Sequence, residues 1–173
     1  MKTLPKYNPK NILLGAPQGA SFKGENMVSS RDMALPQQKF REIVFQLLYS
    51  HDLAQADDED MIAMMMPQLE VTKKNLLEAL SRRKEIQEKI PEIDQLIAQT
   101  SESYEFERIP GIERNILRLG VFELLFSQIP HKVAIAEAIR LTRKFATPEA
   151  ATFVNAILDK LYQTRILANA ATV

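Results

Sequence analysis

One segment limits the fold more than any other. From about Pro110 to Ser127 the chain carries Ile116, Leu117, Leu119, Val121, Phe122, Leu124, Leu125 and Phe126, which leaves scarcely any polar face on a helix. A surface helix keeps an apolar stripe and a polar back; one that is apolar nearly all round has to be covered on every side. The rest of the chain must therefore supply a ring of amphipathic elements around it. Its 173 residues suffice for one domain with a substantial core.

That ring is legible as helices. Pro36 suits the first helical position, where its missing N–H would be unpaired anyway, and Phe40, Ile43, Val44, Leu47 and Leu48 then form a stripe spaced three and four apart, running to about Leu53. Asp57, Asp58, Glu59 and Asp60 open a second helix, where carboxylates favour the positive end of the peptide dipole, and Ile62, Met65, Met66 and Leu69 turn inward. Pro67 is expected to kink or end it. A third helix is predicted from about Leu69 to Gln87 with Leu76, Leu77 and Leu80 buried, and a fourth from Pro91 with Ile93, Leu96 and Ile97. After the apolar segment, Pro130 sets up a helix from about Lys132 to Phe145, with Ala134, Ala138, Leu141 and Phe145 on one side. Thr147-Pro148-Glu149 supplies an N-cap, a proline at N1 and an acid in the first turn, and Phe153, Val154, Ile157, Leu158 and Leu161 carry the last helix to about Thr164. No stretch alternates with period two for long enough to be a strand, and five glycines are few for tight hairpins. The expected fold is all-α: a compact bundle of about six or seven helices around a central apolar helix near 110–127.

Composition narrows function by exclusion. With 22 basic and 22 acidic residues the formal charge is zero, so any nucleic-acid binding must come from a local patch. There is no cysteine, hence no disulfide, thiolate metal site or cysteine nucleophile. His51 and His131 have no partner at metal-ligand spacing, and no glycine-rich phosphate loop occurs. The acidic run from Asp57 to Asp60 reads as the solvated start of a helix. Met61, Met64, Met65 and Met66 read as core filling with some spill onto the surface, although such side chains can also line an adaptable partner groove. No catalysis and no cofactor are expected. Residues 1–35 mix glycine, proline and polar residues without a sustained period and read as a flexible extension. Lys2, Lys6, Lys10, Lys23 and Arg31 against Glu25 and Asp32 give it a net charge of +3. Its apolar run Ile12-Leu13-Leu14 is too short for a signal-peptide core, and no stretch approaches a membrane span, so a soluble cytoplasmic protein is expected. The helical domain is placed at 36–165 and a short tail at 166–173.

Binding surfaces offer more than reaction centres. Gln37, Gln38, Lys39 and Arg41 cluster at the start of the first helix, where N–H groups and cations can meet phosphate and glutamine amides can reach base edges. The same residues also suit a plain solvated face. Single-stranded RNA further needs flat rings for unstacked bases. Tyr49 ends the first helix; Phe153 lies in the last, four residues after Glu149 and on the same face, and it equally suits the core.

Four segments, in order, resemble the NusB family of bacterial transcription antitermination factors. They are Arg41-Glu42 with Gln46-Leu47-Leu48-Tyr49, Asn115 to Leu124 with Phe122 in place of a tyrosine, Pro130 to Ala138, and Phe153-Val154-Asn155-Ala156-Ile157-Leu158-Asp159-Lys160. The resemblance covers about Pro36 to Leu161. It implies a non-enzymatic adaptor that pairs with NusE, a small-subunit ribosomal protein, binds the boxA element of nascent RNA, and joins the RNA polymerase antitermination complex during ribosomal RNA synthesis. It further implies an RNA surface of Gln37, Gln38, Lys39, Arg41, Tyr49, Glu149 and Phe153, a NusE surface around Glu113, Arg114 and Arg118, and a free form that is either monomer or homodimer. The sequence departs from the family in three places. Gln37-Gln38-Lys39 stands where three arginines are usual, Ala150-Ala151-Thr152 where Ser-His-Lys is common, and Ala136 where Asn is frequent. Fewer phosphate contacts imply weak RNA binding by the protein alone, with the basic extension as a compensating source of charge. Two other readings stand beside this one. A protein-binding or oligomeric bundle that has lost RNA contact fits the depleted basic segment. An accessory domain like that of rRNA cytosine methyltransferases would require a catalytic domain with a nucleophilic cysteine, and this chain has none.

Overall fold

The computed structural model describes residues 35–55, 57–69, 71–101 and 104–167. Six α-helices and no strand occur among these residues: α1 (Gln37–Ala54), α2 (Asp58–Leu69), α3 (Lys73–Thr100), α4 (Gly111–Phe126), α5 (His131–Phe145) and α6 (Pro148–Leu161). A 3₁₀ turn at Phe106–Arg108 precedes α4, and a π-helical turn at Tyr162–Leu167 follows α6. The basic residues expected to act from the extension, Lys2 to Arg31, lie outside the described residues.

The apolar segment is the axis of the bundle. Every residue of α4 from Asn115 to Leu124 is buried, and the helix packs against α1, α3, α5 and α6. Gly120 sets the closeness of that packing. A Cβ placed there would stand 3.0 Å from Leu158 Cδ1 on α6 and 3.4 Å from the Ala138 Cβ on α5, so the absent side chain is what lets three helices converge. The start of α6 is as the sequence dictates: Thr147 Oγ1 accepts from the Ala150 amide at 3.2 Å with Pro148 at N1. At the start of α2, Asp57 Oδ1 accepts from the Asp60 amide at 2.9 Å.

Several expectations are corrected. The third and fourth predicted helices are one 28-residue helix, α3, beginning at Lys73 rather than Leu69 and running straight through Pro91. Proline removes one hydrogen bond to the carbonyl four residues back. Pro91 is exposed and Gln87, whose carbonyl loses the bond, is half-buried, so the gap falls on an accessible face of the helix. Leu77 is 47% exposed, since the inward face of α3 is set by Leu76, Ala79, Leu80, Arg83 and Ile86. Pro36 caps α1 from outside rather than forming its first residue, and Pro67 is accommodated inside α2, which ends two residues later at Leu69. The α-helical part of the last helix stops at Leu161.

Candidate nucleic-acid interface

Side chains of α1 and α5 meet along a polar and aromatic seam whose contacts advance in the same sense on both helices. Near its start, Gln38 Nε2 donates to Glu137 Oε1 at 3.3 Å, and Arg140 Nη2 donates to the Gln38 carbonyl at 3.2 Å. One turn on, Glu42 accepts from Arg140 Nη1 and Lys144 Nζ, both at 2.7 Å. Burial alone would raise the Glu42 carboxyl; the hydrogen bonds and charges of Lys144 and Arg140 outweigh it and hold the group below its ordinary range. Next, the Phe45 ring meets Phe145 at 4.9 Å and Tyr49 at 6.0 Å.

Gln37 and Gln38 are exposed and Lys39 is half-buried, with no carboxylate partner for Lys39 among the described residues. Gln37 also lines a cleft of about 800 Å³ whose walls include Leu35, Phe40, Arg82, Phe122 and Phe126. The expected outward placement of Arg41 and Tyr49 is corrected. Arg41 is 6% exposed, with Nε 2.7 Å from Glu123 Oε1 and Nη1 3.8 Å from Glu137 Oε2. A guanidinium in that position cannot leave for solvent without stranding a buried carboxylate. Burial pushes the Glu123 carboxyl above its ordinary range despite the cation beside it. Tyr49 is 7% exposed and its ring closes over Gly111, where an added Cβ would lie 3.1 Å from Cε2. Eleven residues of helix, about 16 Å, separate it from Gln38, so the first turn of α1 and Tyr49 are opposite ends of the seam rather than one patch.

On α6, Glu149 is exposed in the first turn and Phe153 is half-buried. The Phe153 ring meets Tyr104 at 5.8 Å and 52° between planes. Tyr104, half exposed in the segment between α3 and α4, carries no helical periodicity that would have marked it.

The residues expected to face a protein partner lie in or beside a network within the bundle. Arg118 is buried on α4 and clamps Asp94 of α3 with two bonds, Nε to Oδ1 at 2.8 Å and Nη2 to Oδ2 at 2.7 Å. Its Nη1 reaches Asp52 Oδ1 at the end of α1 at 3.2 Å. Arg114 Nη2 and Asn115 Nδ2 donate to Asp52 Oδ2 at 3.1 and 3.0 Å, and Arg114 also lies over the Phe106 ring at 5.9 Å. Burial would raise Asp52, yet the bonds from Asn115 and Arg114 and the charge of Arg118 hold it below its usual range. Glu113 is half-buried beside this network, and loss of water pushes its carboxyl upward. Of the three, Arg118 is thus turned inward, while Glu113 and Arg114 keep partial access. The histidines are engaged elsewhere: His51 Nε2 lies 2.8 Å from Gln87 Nε2, and His131 stacks on Tyr162 at 3.9 Å. Met61 and Met65 are core, whereas Met64 is 47% exposed.

The arrangement is a helical scaffold, and its relatives place it in a family. The NusB family model matches residues 38–163. The chain belongs to the NusB family. It is 38% identical over 142 residues to the transcription antitermination protein NusB of Chlamydia pneumoniae, covering 82% of this chain and 88% of that one. The NusB of Desulfosudis oleivorans is 31% identical over 125 residues, 70% of this chain and 81% of that one. Among solved structures, T. maritima NusB superposes with a TM-score of 0.67 at 30% identity, covering 82% of this chain and all of the other. A structure of the antitermination factors NusB and NusE in complex with dsRNA superposes at 0.64 and 27% identity over 73% of this chain and 96% of that one. Family membership accounts for the all-α architecture. No described helix is long and apolar enough to cross a membrane.

Proposed function

We propose that this NusB-family chain is a transcription antitermination factor that binds boxA-type RNA together with NusE and acts on RNA polymerase during ribosomal RNA synthesis. It works without chemistry of its own, in the cytoplasm. The observation that carries this reading is the match along nearly the whole bundle to NusB relatives, one of whose structures is a complex with NusE and RNA. The site geometry supports a division of labour. Gln37, Gln38 and Lys39 meet the RNA from the first turn of α1, and Phe153 meets it from α6 with Glu149 at its edge. Arg41 and Tyr49 serve the surface from beneath, Arg41 by neutralising Glu123 and Glu137 and Tyr49 by filling the far end of the seam. Lys39 and the exposed Arg143 are cations with no carboxylate partner among the described residues, so they are available to phosphate. Glu113 and Arg114 remain the accessible part of the NusE-facing surface, stiffened from behind by Arg118.

With Gln37 and Gln38 standing where arginines are usual in the family, binding by the protein alone is expected to be weak. Titrating fluorescent boxA RNA with and without NusE, at two salt concentrations, tests the reading. Expected are weak, strongly salt-dependent binding alone and tighter, sequence-dependent binding with NusE. Absence of sequence-dependent binding in both cases would overturn it in favour of a protein-only module.

A further inference from the structure

Tyr104 is one of the few large apolar side chains left in water, at 51% exposure, and no motif accounts for it. Its position is nevertheless fixed. The Tyr104 amide donates to the Ser101 carbonyl at 3.3 Å, and Ser101 Oγ donates to the Tyr104 carbonyl at 2.9 Å, which ties the Tyr104 backbone to the end of α3. Ser101 is itself buried. These bonds set the Tyr104 ring beside Phe153, and at 5.8 Å and 52° between planes the two rings are tilted and do not cover each other's faces. The Tyr104 hydroxyl has no partner among the described residues.

We propose that Tyr104 and Phe153 form a stacking slot for one unstacked nucleobase of the bound RNA; the inference rests on the RNA-binding reading above. An exposed ring whose backbone is hydrogen-bonded to a helix end is what base stacking requires, because less conformational freedom is lost when the base arrives. The surroundings favour a base over the other candidates. Glu105 and Arg108 form an exposed pair at 2.9 Å, and Glu107 and Glu149 are exposed as well. These carboxylates disfavour a phosphate against the ring itself. They also leave the ring without the charge-depleted, fully desolvated surroundings in which a protein interface seats its aromatic anchors.

The test uses the full chain with NusE and boxA RNA carrying 2-aminopurine at one position at a time. Tyr104→Ala is expected to weaken RNA binding about 5- to 100-fold, the range for loss of one stacked base. Tyr104→Phe should stay within about twofold, because the ring and not the hydroxyl carries the contact, and Tyr104→Leu should bind like the alanine variant. The salt slope should not change, since no charge is removed. At one RNA position, 2-aminopurine fluorescence should be quenched by the wild type and by Tyr104→Phe but not by Tyr104→Ala. If the wild type binds RNA and Tyr104→Ala binds equally well, the stacking slot is refuted while the RNA-binding reading stands. If Tyr104→Ala loses only NusE affinity, the ring is a protein contact and the slot is likewise refuted. If the wild type binds no RNA with or without NusE, the underlying reading itself has failed.

Discussion

Replacing Arg118 with alanine separates two roles that the sequence alone leaves entangled. The family resemblance points to a partner contact, whereas the structure makes Arg118 the knot between α1, α3 and α4. Its side chain is 8% exposed, and those of Asp94 and Asp52 are 20% and 24% exposed. Removing one member of a buried ion pair costs about 3–5 kcal/mol because the remaining charge is stranded. Here two facts lower the cost. Asp52 keeps its bonds from Arg114 and Asn115, and Asp94 lies near enough to solvent to rehydrate. The expected loss is therefore about 2–4 kcal/mol, which for a domain of this size lowers the melting temperature by about 10 °C. Urea unfolding followed by circular dichroism would measure it, with Asp94→Ala and the double variant completing a cycle. A coupling of about 1–3 kcal/mol between Arg118 and Asp94 is expected. Arg118 does not hold the three helices together if Arg118→Ala unfolds within about 0.5 kcal/mol of the wild type and the two substitutions are additive. NusE affinity that falls without any loss of stability would return Arg118 to the role of a surface contact.

Other consequences follow from the α1–α5 seam and from α6. Glu42→Gln should cost about 1–3 kcal/mol near neutral pH by leaving Arg140 and Lys144 without their carboxylate. The Glu42 carboxyl is held below its ordinary value of 4.5, so its contribution is complete above that value and is lost as pH falls through the lower folded one. Denaturation curves of wild type and variant should therefore converge in acid, and a gap that widened there would contradict the assignment. Lys39→Ala should reduce the slope of log affinity against log salt by about one while leaving the fold intact, which titrations at several salt concentrations would read. Phe153→Ala should weaken RNA binding more than it lowers the melting temperature, because the ring is only half-buried; large destabilisation with unchanged RNA affinity would make it a core residue.

Legibility followed the range of the physical signal. The all-round apolar segment and the Thr147-Pro148-Glu149 start are local patterns, and α4 and α6 appear where those patterns put them. Pro91 misled because the sequence shows the lost N–H but not the solvent that makes the loss tolerable. Leu77 misled because three leucine-rich positions fit a stripe until Arg83 is known to face inward and set the phase. The site was harder still. Arg41 and Glu123 are 82 positions apart and Arg118 and Asp52 are 66 apart, and nothing along the chain marks such pairs. An arginine at the start of a helix looks like a surface cation until its buried acid is found. Tyr104 went unread for the opposite reason, since a lone aromatic in a connecting segment has no period to announce it.

The long helix α3 has a consequence for how the bundle breathes. Upstream of Pro91, Arg83 is paired to Asp58 of α2 and bonded to Gln87 at 2.9 Å, which in turn reaches His51 of α1. Downstream, Asp94 is fastened to α4 through Arg118. The one rung missing from the helical ladder thus falls between these two sets of contacts, although both halves touch the central helix, the first through Arg82 over Phe122 and Lys89 over Phe126. In amide hydrogen exchange the two halves of α3 are expected to open with different free energies, the first together with α2, and the boundary between them should lie at the proline.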